Sequence, residues 1–142
     1  MGKFFNRTEL IKSMTAYKHG IDNKPKDEKI YNNIDILIEF MDGVRLAWGS
    51  AIIVTSGYRC PELNKIVGGV NNSAHQYGFA IDCVPANNQK KEFFEFFKNY
   101  LEENKLDFDE LILESNGNSI WIHFSLFSYQ GKQRKKIKTI KK

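Results

Sequence analysis

Two apolar runs, Glu110-Leu111-Ile112-Leu113-Glu114 and Ile120-Trp121-Ile122-His123-Phe124-Ser125-Leu126, flank the polar stretch Ser115-Asn116-Gly117-Asn118-Ser119. Apolar runs of strand length around a glycine-containing turn predict a β-hairpin. That hairpin fixes two antiparallel neighbours late in the chain, while helical patterns fall mostly before it. Ile30, Ile34, Leu37, Ile38, Met41, Val44 and Leu46-Ala47-Trp48 recur with roughly helical period, predicting a main core helix that opens near Asp27 and stops at Gly49. Residues 90–104 place Phe93, Phe94, Phe96, Phe97, Tyr100 and Leu101 along one amphipathic face, read as core. A short helix from Thr8, with Thr8 as N-cap and Leu10, Met14 and Tyr17 on one face, is predicted to end near Gly20. Pro61 can start another, ended by Gly68-Gly69. Residues 51–55 read as a short buried strand and residues 79–84 as a second, stopped by Pro85. The order implies an α+β fold: one small domain with helices packed on a mostly antiparallel sheet.

A length of 142 residues fits one domain. Residues 131–142 carry seven of the 21 basic residues and none of the acidic ones, which leaves 14 against 17 in positions 1–130, a net of −3. The expected organisation is a mildly acidic domain, 1–130, followed by a basic tail, 131–142. Such a tail can bind an anionic wall polymer, a membrane surface or nucleic acid, or simply aid solubility. It lacks interleaved aromatics and no recognition motif accompanies it, so a specific nucleic-acid partner is not expected. Cys60 and Cys83 are too few for a disulfide framework and lack zinc-finger spacing. They read as free thiols, although both flank the motifs below and can lie close enough to bridge. No run approaches the length of a membrane span, and Met1-Gly2-Lys3-Phe4-Phe5-Asn6-Arg7 lacks the apolar stretch of a secretory signal. Synthesis in the cytoplasm is the expectation, with delivery elsewhere by other means.

Ser73-Ala74-His75-Gln76-Tyr77-Gly78-Phe79-Ala80-Ile81-Asp82 offers a histidine and a carboxylate at a loop-to-strand junction. Period two puts Asp82 with Ala80 and Val84, opposite Phe79, Ile81 and Cys83. A carboxylate in so apolar a strand needs a cation, a metal or several hydrogen bonds. A hydrolytic zinc takes three protein ligands and keeps an open position. His75, Asp82 and His123 can supply the three, while His75 and Asp82 alone can equally be a hydrogen-bonded pair. An even-numbered hairpin loop puts Glu114 on the same sheet face as His123. If Glu114 is directly opposite His123, the loop is centred on Asn118-Ser119, and the carboxylate can reach a water on the metal and act as general base. If Asn116-Gly117 is the turn, the two lie well apart and Glu114 reads as a surface carboxylate. Arg59, in the turn after the first strand, can present its guanidinium to a substrate carboxylate or an oxyanion, or lie on the surface.

The segments Ser56-Gly57-Tyr58-Arg59-Cys60-Pro61-Glu62-Leu63-Asn64, Val67-Gly68-Gly69, residues 73–82 and Trp121-Ile122-His123-Phe124-Ser125 resemble the zinc D-Ala-D-Ala carboxypeptidase family. More closely they resemble its short phage-type members, which include L-alanyl-D-glutamate endopeptidases and share a fold with the hedgehog signalling domain. With Glu9-Leu10, Ser13, Thr15-Ala16 and Gly20-Ile21-Asp22-Asn23, the likeness covers about residues 4–127. It implies that His75, Asp82 and His123 bind Zn2+, that Arg59 contacts substrate or oxyanion, and that Ser73, with Tyr58 and Gln76, faces the substrate. Many relatives carry the catalytic acid three positions before the last histidine, where this chain has Ile120; Glu114 fits branches that place it farther upstream.

The resulting expectation is a zinc-dependent, monomeric peptidase acting on a peptidoglycan stem peptide, as a carboxypeptidase or an endopeptidase. A bacteriophage endolysin, reaching the cell wall on host lysis or as a virion component, or a wall-remodelling hydrolase fits it. The alternative is a non-catalytic zinc-containing virion or wall-binding module.

Overall fold

The computed structural model describes residues 3–142; Met1 and Gly2, part of the start read above as lacking a leader, lie outside them. The elements in order are α1 (Arg7–Ile11), α2 (Met14–Lys18), α3 (Glu28–Trp48), β1 (Ile52–Ser56), α4 (Pro61–Ile66), a 3-10 turn (Ala74–Tyr77), β2 (Ala80–Pro85), α5 (Lys90–Glu103), β3 (Glu110–Asn116), β4 (Ser119–Ser125) and β5 (Lys136–Lys141). The five strands form one sheet in the order β1-β2-β4-β3-β5. Every pairing is antiparallel except β3 with β5. The fold is α+β, as the helix-then-hairpin order predicts.

Helices cover one sheet face. Phe124 of β4 stacks on Phe40 of α3 at 5.1 Å between ring centroids and on Phe97 of α5 at 4.9 Å. Ile81, Cys83, Leu111 and Ile122 join them in a core that also takes Ile34, Leu37, Ile38, Met41 and Val44 from α3. Asp27 caps α3 at its start and Gly49, left-handed at φ 78°, closes it. The opposite face carries Asp82, His123, Trp121 and Glu114, and the segment holding α4 and the 3-10 turn folds beside it.

Three local expectations are corrected. The first predicted helix is two helices, because Ser13 caps a second start by accepting from the Ala16 N–H. The face therefore shifts: Leu10 and Ala16 are buried, while Met14 and Tyr17 are 61% and 83% exposed. β1 is an edge strand with Ile53 half exposed, not a buried one.

Lys136–Lys141 of the basic segment pair in parallel with β3, after residues 126–135 pass the start of that strand. Arg134 anchors this arrangement on buried Asp109 with two bonds of 2.8 Å. Lys135, Lys138 and Lys142 pair with Asp107, Glu110 and Glu114. Positive charge in this segment thus meets the negative charge of the domain. Cys60 and Cys83 are both free thiols, and burial pushes the Cys83 thiol well above its usual range.

Candidate metal centre

Asp82 and His123 are direct partners across the β2–β4 ladder. His123 Nδ1 lies 2.9 Å from Asp82 Oδ1, and His75 Nε2 lies 3.3 Å from the same oxygen. His75 arrives from the 3-10 turn, which Ser73 and Gln76 close as a capping box. Its Nδ1–H donates to the Gly57 carbonyl at 2.7 Å, which leaves Nε2 as the unprotonated nitrogen facing Asp82. The third histidine of the chain, His19, is exposed at the end of α2 and away from this cluster.

Among the described residues, His75, Asp82 and His123 form a group whose donor atoms all lie within 4.8 Å of one another. Two imidazoles and one carboxylate match the donor set of a three-ligand zinc site with a fourth position open. The charge states fit as well. Burial lowers the His75 pKa and outweighs Asp82, so that ring stays neutral. Burial alone would raise the Asp82 carboxyl, but the two imidazoles hold it well below the usual range, as an anion. For His123, burial pulls the pKa down, yet the bond to Asp82 prevails and raises it. A metal ion would replace a proton at that nitrogen.

Arg59 is fixed on three sides. It donates from Nε to Ser56 Oγ at 3.2 Å, from Nη1 to Asn64 Oδ1 at 3.1 Å and from Nη2 to Asp82 Oδ2 at 3.3 Å. Burial lowers its pKa, opposed by Asp82 and Glu114. Asn64, buried, also donates to the Val70 carbonyl at 2.9 Å and so ties Arg59 to the following loop. Gly69 lies against this pair: a Cβ there would overlap Asn64 Oδ1 and come within 2.9 Å of Arg59 Nη1. Asn64 and Gly69 lie inside the motifs around Arg59, and their part in holding the guanidinium shows only in the packing.

Glu114 pairs with Trp121, and Ile112 stands opposite His123. The register falls between the two anticipated. Gly117 takes a positive φ of 62° as the first residue of a two-residue Gly117-Asn118 turn, where a hairpin of this length favours glycine. Glu114 is therefore two residues along from the position opposite His123, on the same face, a diagonal of about 7–8 Å between strands. Trp121 Nε1–H donates to Glu114 Oε2 at 2.9 Å. A cleft of about 650 Å³ joins Arg59, Ser73, the three cluster residues and Glu114.

Tyr58 and Gln76, expected to face the substrate, do not line this cleft. Tyr58 is 5% exposed and packs in the hydrophobic core. Gln76 turns its side-chain oxygen to the Ser73 N–H at 2.9 Å and to Asn64. Lys138 and Ile140 of β5, and Lys142 just after it, line the cleft and were not anticipated there, because the charge of this segment read as a tail.

A buried two-histidine, one-carboxylate cluster on a sheet face, beside a carboxylate and a guanidinium, defines a metallohydrolase-type centre. Residues 3–124 match the family described as Peptidase M15, and the chain belongs to that family. It is a metallopeptidase of the zinc-dependent M15 type. No curated protein matches the chain.

Proposed function

We propose that this protein is a zinc peptidase that hydrolyses an amide bond in the stem peptide of bacterial peptidoglycan, and that it serves as a phage endolysin or wall hydrolase. The observation that carries the reading is the placement of Glu114 on the sheet face and in the cleft of the His75–Asp82–His123 cluster. Zinc held by those three residues would polarise the scissile carbonyl and acidify water.

The chain's own groups supply the rest. Glu114 accepts a proton from the attacking water and returns it to the leaving amine. Arg59, held on Asp82, offers a cation to the oxyanion that develops on the amide carbonyl. Ser73, buried at the cleft wall, accepts from the His75 backbone N–H at 3.2 Å and so holds the turn that carries the ligand.

Mass spectrometry of products from a defined stem peptide, with and without a chelator, tests this. Zinc-dependent cleavage at one amide bond is expected, and the products name the bond. Release that persists after complete zinc removal would refute the metal's role.

One observation favours a second reading, a non-catalytic zinc module. Both Glu114 oxygens already have donors, Trp121 on Oε2 and Lys142 on Oε1. Binding to purified sacculi without release of muropeptides would support that module.

A further inference from the structure

The family match ends at residue 124, yet β5 lies beyond it and walls the cleft with Lys138 and Ile140, joined by Lys142 just past its end. The parallel register accounts for this, since Ile112 pairs with Lys138 and Glu114 with Ile140. Partners in adjacent strands share a sheet face, and alternation brings Lys142 to that face again. The Lys142 backbone N–H donates to the Ser115 carbonyl at 2.8 Å, which fixes where its side chain begins. Its Nζ lies 3.1 Å from Glu114 Oε1 and 5.7 Å from the centre of the Trp121 ring.

We infer that Lys142 is a positioning residue for Glu114, so that β5 completes the working site. The inference rests on Glu114 being the proton carrier proposed above. A glutamate on an open sheet face has several rotamers, and one donor leaves its carboxylate free to swing. Two donors from different segments, the indole of Trp121 on β4 and the ammonium of Lys142 just past β5, fix the carboxylate plane. Each carboxylate oxygen has two acceptor sites, so one remains on each oxygen for the proton of a water. The Glu114 side chain is 12% exposed and that of Lys142 54%, so the lysine holds a sheltered carboxylate from the solvent side.

The test uses the full zinc-loaded chain and a defined stem peptide. It compares Lys142→Ala, Lys142→Arg and Lys141→Ala, the last on the opposite strand face, with Glu114→Gln in parallel. Removing a general base lowers kcat by about 10²–10⁴-fold, and loss of its orientation should account for about tenfold of that. Lys142→Ala is expected to lose that tenfold in kcat with KM and zinc content unchanged. Lys142→Arg should recover most of it, and Lys141→Ala should match the wild type. In a Glu114→Gln background, Lys142→Ala should have no further effect.

Unchanged kcat in Lys142→Ala would overturn the inference. So would a rise in KM alone, which would make Lys142 a substrate contact. Wild-type turnover in Glu114→Gln would refute the role of Glu114 itself. Loss in Glu114→Gln beside wild-type turnover in Lys142→Ala would refute the lysine's role alone.

Discussion

Asp82 and His123 face each other as register partners on neighbouring strands, and the 2.9 Å between Oδ1 and Nδ1 is the shortest link in the cluster. The ladder between β2 and β4 therefore sets the geometry of two of the three candidate donors, and the 3-10 turn supplies only His75. A cluster built this way is held in place before any metal arrives.

Removal of one ligand should abolish tight zinc binding. His75→Ala, His123→Ala and Asp82→Asn are each expected to fall well below stoichiometric zinc after dialysis, measured by metal analysis. Asp82→Asn should also destabilise the metal-free protein by about 3 kcal/mol or more, because Arg59 loses its anionic partner in a largely buried place. Full zinc occupancy in any of the three would remove that residue from the ligand set.

Glu114→Gln keeps the shape of the side chain and should retain zinc while kcat falls about 10²–10⁴-fold. Trp121→Phe deletes the indole donor to Oε2 and should lower kcat by a smaller factor with zinc unchanged. Single-turnover assays with parallel metal analysis read both effects.

Asp109 supplies a pH dependence apart from the metal site. Burial raises its carboxyl, but the bonds from Arg134 outweigh that and lower the pKa below the ordinary 3.8. A carboxylate lowered in the folded state contributes stability that is present above its unfolded pKa and lost as pH falls through the folded one. Arg134→Gln should therefore cost about 1–3 kcal/mol near neutral pH, toward the lower end because the Arg134 side chain is itself partly exposed. The difference from wild type should shrink below about pH 4 as the carboxylate is protonated. Urea unfolding at pH 7 and pH 3 checks the sign; an equal difference at both would rule the pair out as its source.

Gly69→Ala tests the packing behind the guanidinium. The added methyl meets Asn64 Oδ1 and Arg59 Nη1, so Arg59 must shift while the three ligands stay. A displacement of this kind should lower kcat by about tenfold to a hundredfold, with zinc content unaltered. Activity equal to wild type would mean that the oxyanion does not depend on Arg59 where it now lies.

The His75–Asp82–His123 cluster was legible in the sequence because an aspartate in an apolar strand and a histidine in a hairpin strand are both costly to bury without a partner. Strand parity also gave the correct face for Glu114. The register was not legible, since Asn116-Gly117 and Gly117-Asn118 are both plausible turns and the φ of Gly117 selects between them. β5 escaped notice for a different reason. In Lys136-Ile137-Lys138-Thr139-Ile140-Lys141 the charge count hides the alternation, and the acidic partners of Arg134, Lys138 and Lys142, namely Asp109, Glu110 and Glu114, are remote until β3 is in place. Tyr58 and Gln76 belong to motifs near the site, yet packing and capping determine where their side chains point.

The parallel pairing of β5 on β3 also determines which backbone groups meet solvent. β3 bonds on both sides, so the strand that bears Glu114 has no free margin. A version cut after residue 130 would uncover a row of N–H and C=O groups along a seven-residue strand and invite a second molecule to pair there. Removing β5 would therefore favour self-association at the very strand on which the proposed chemistry depends.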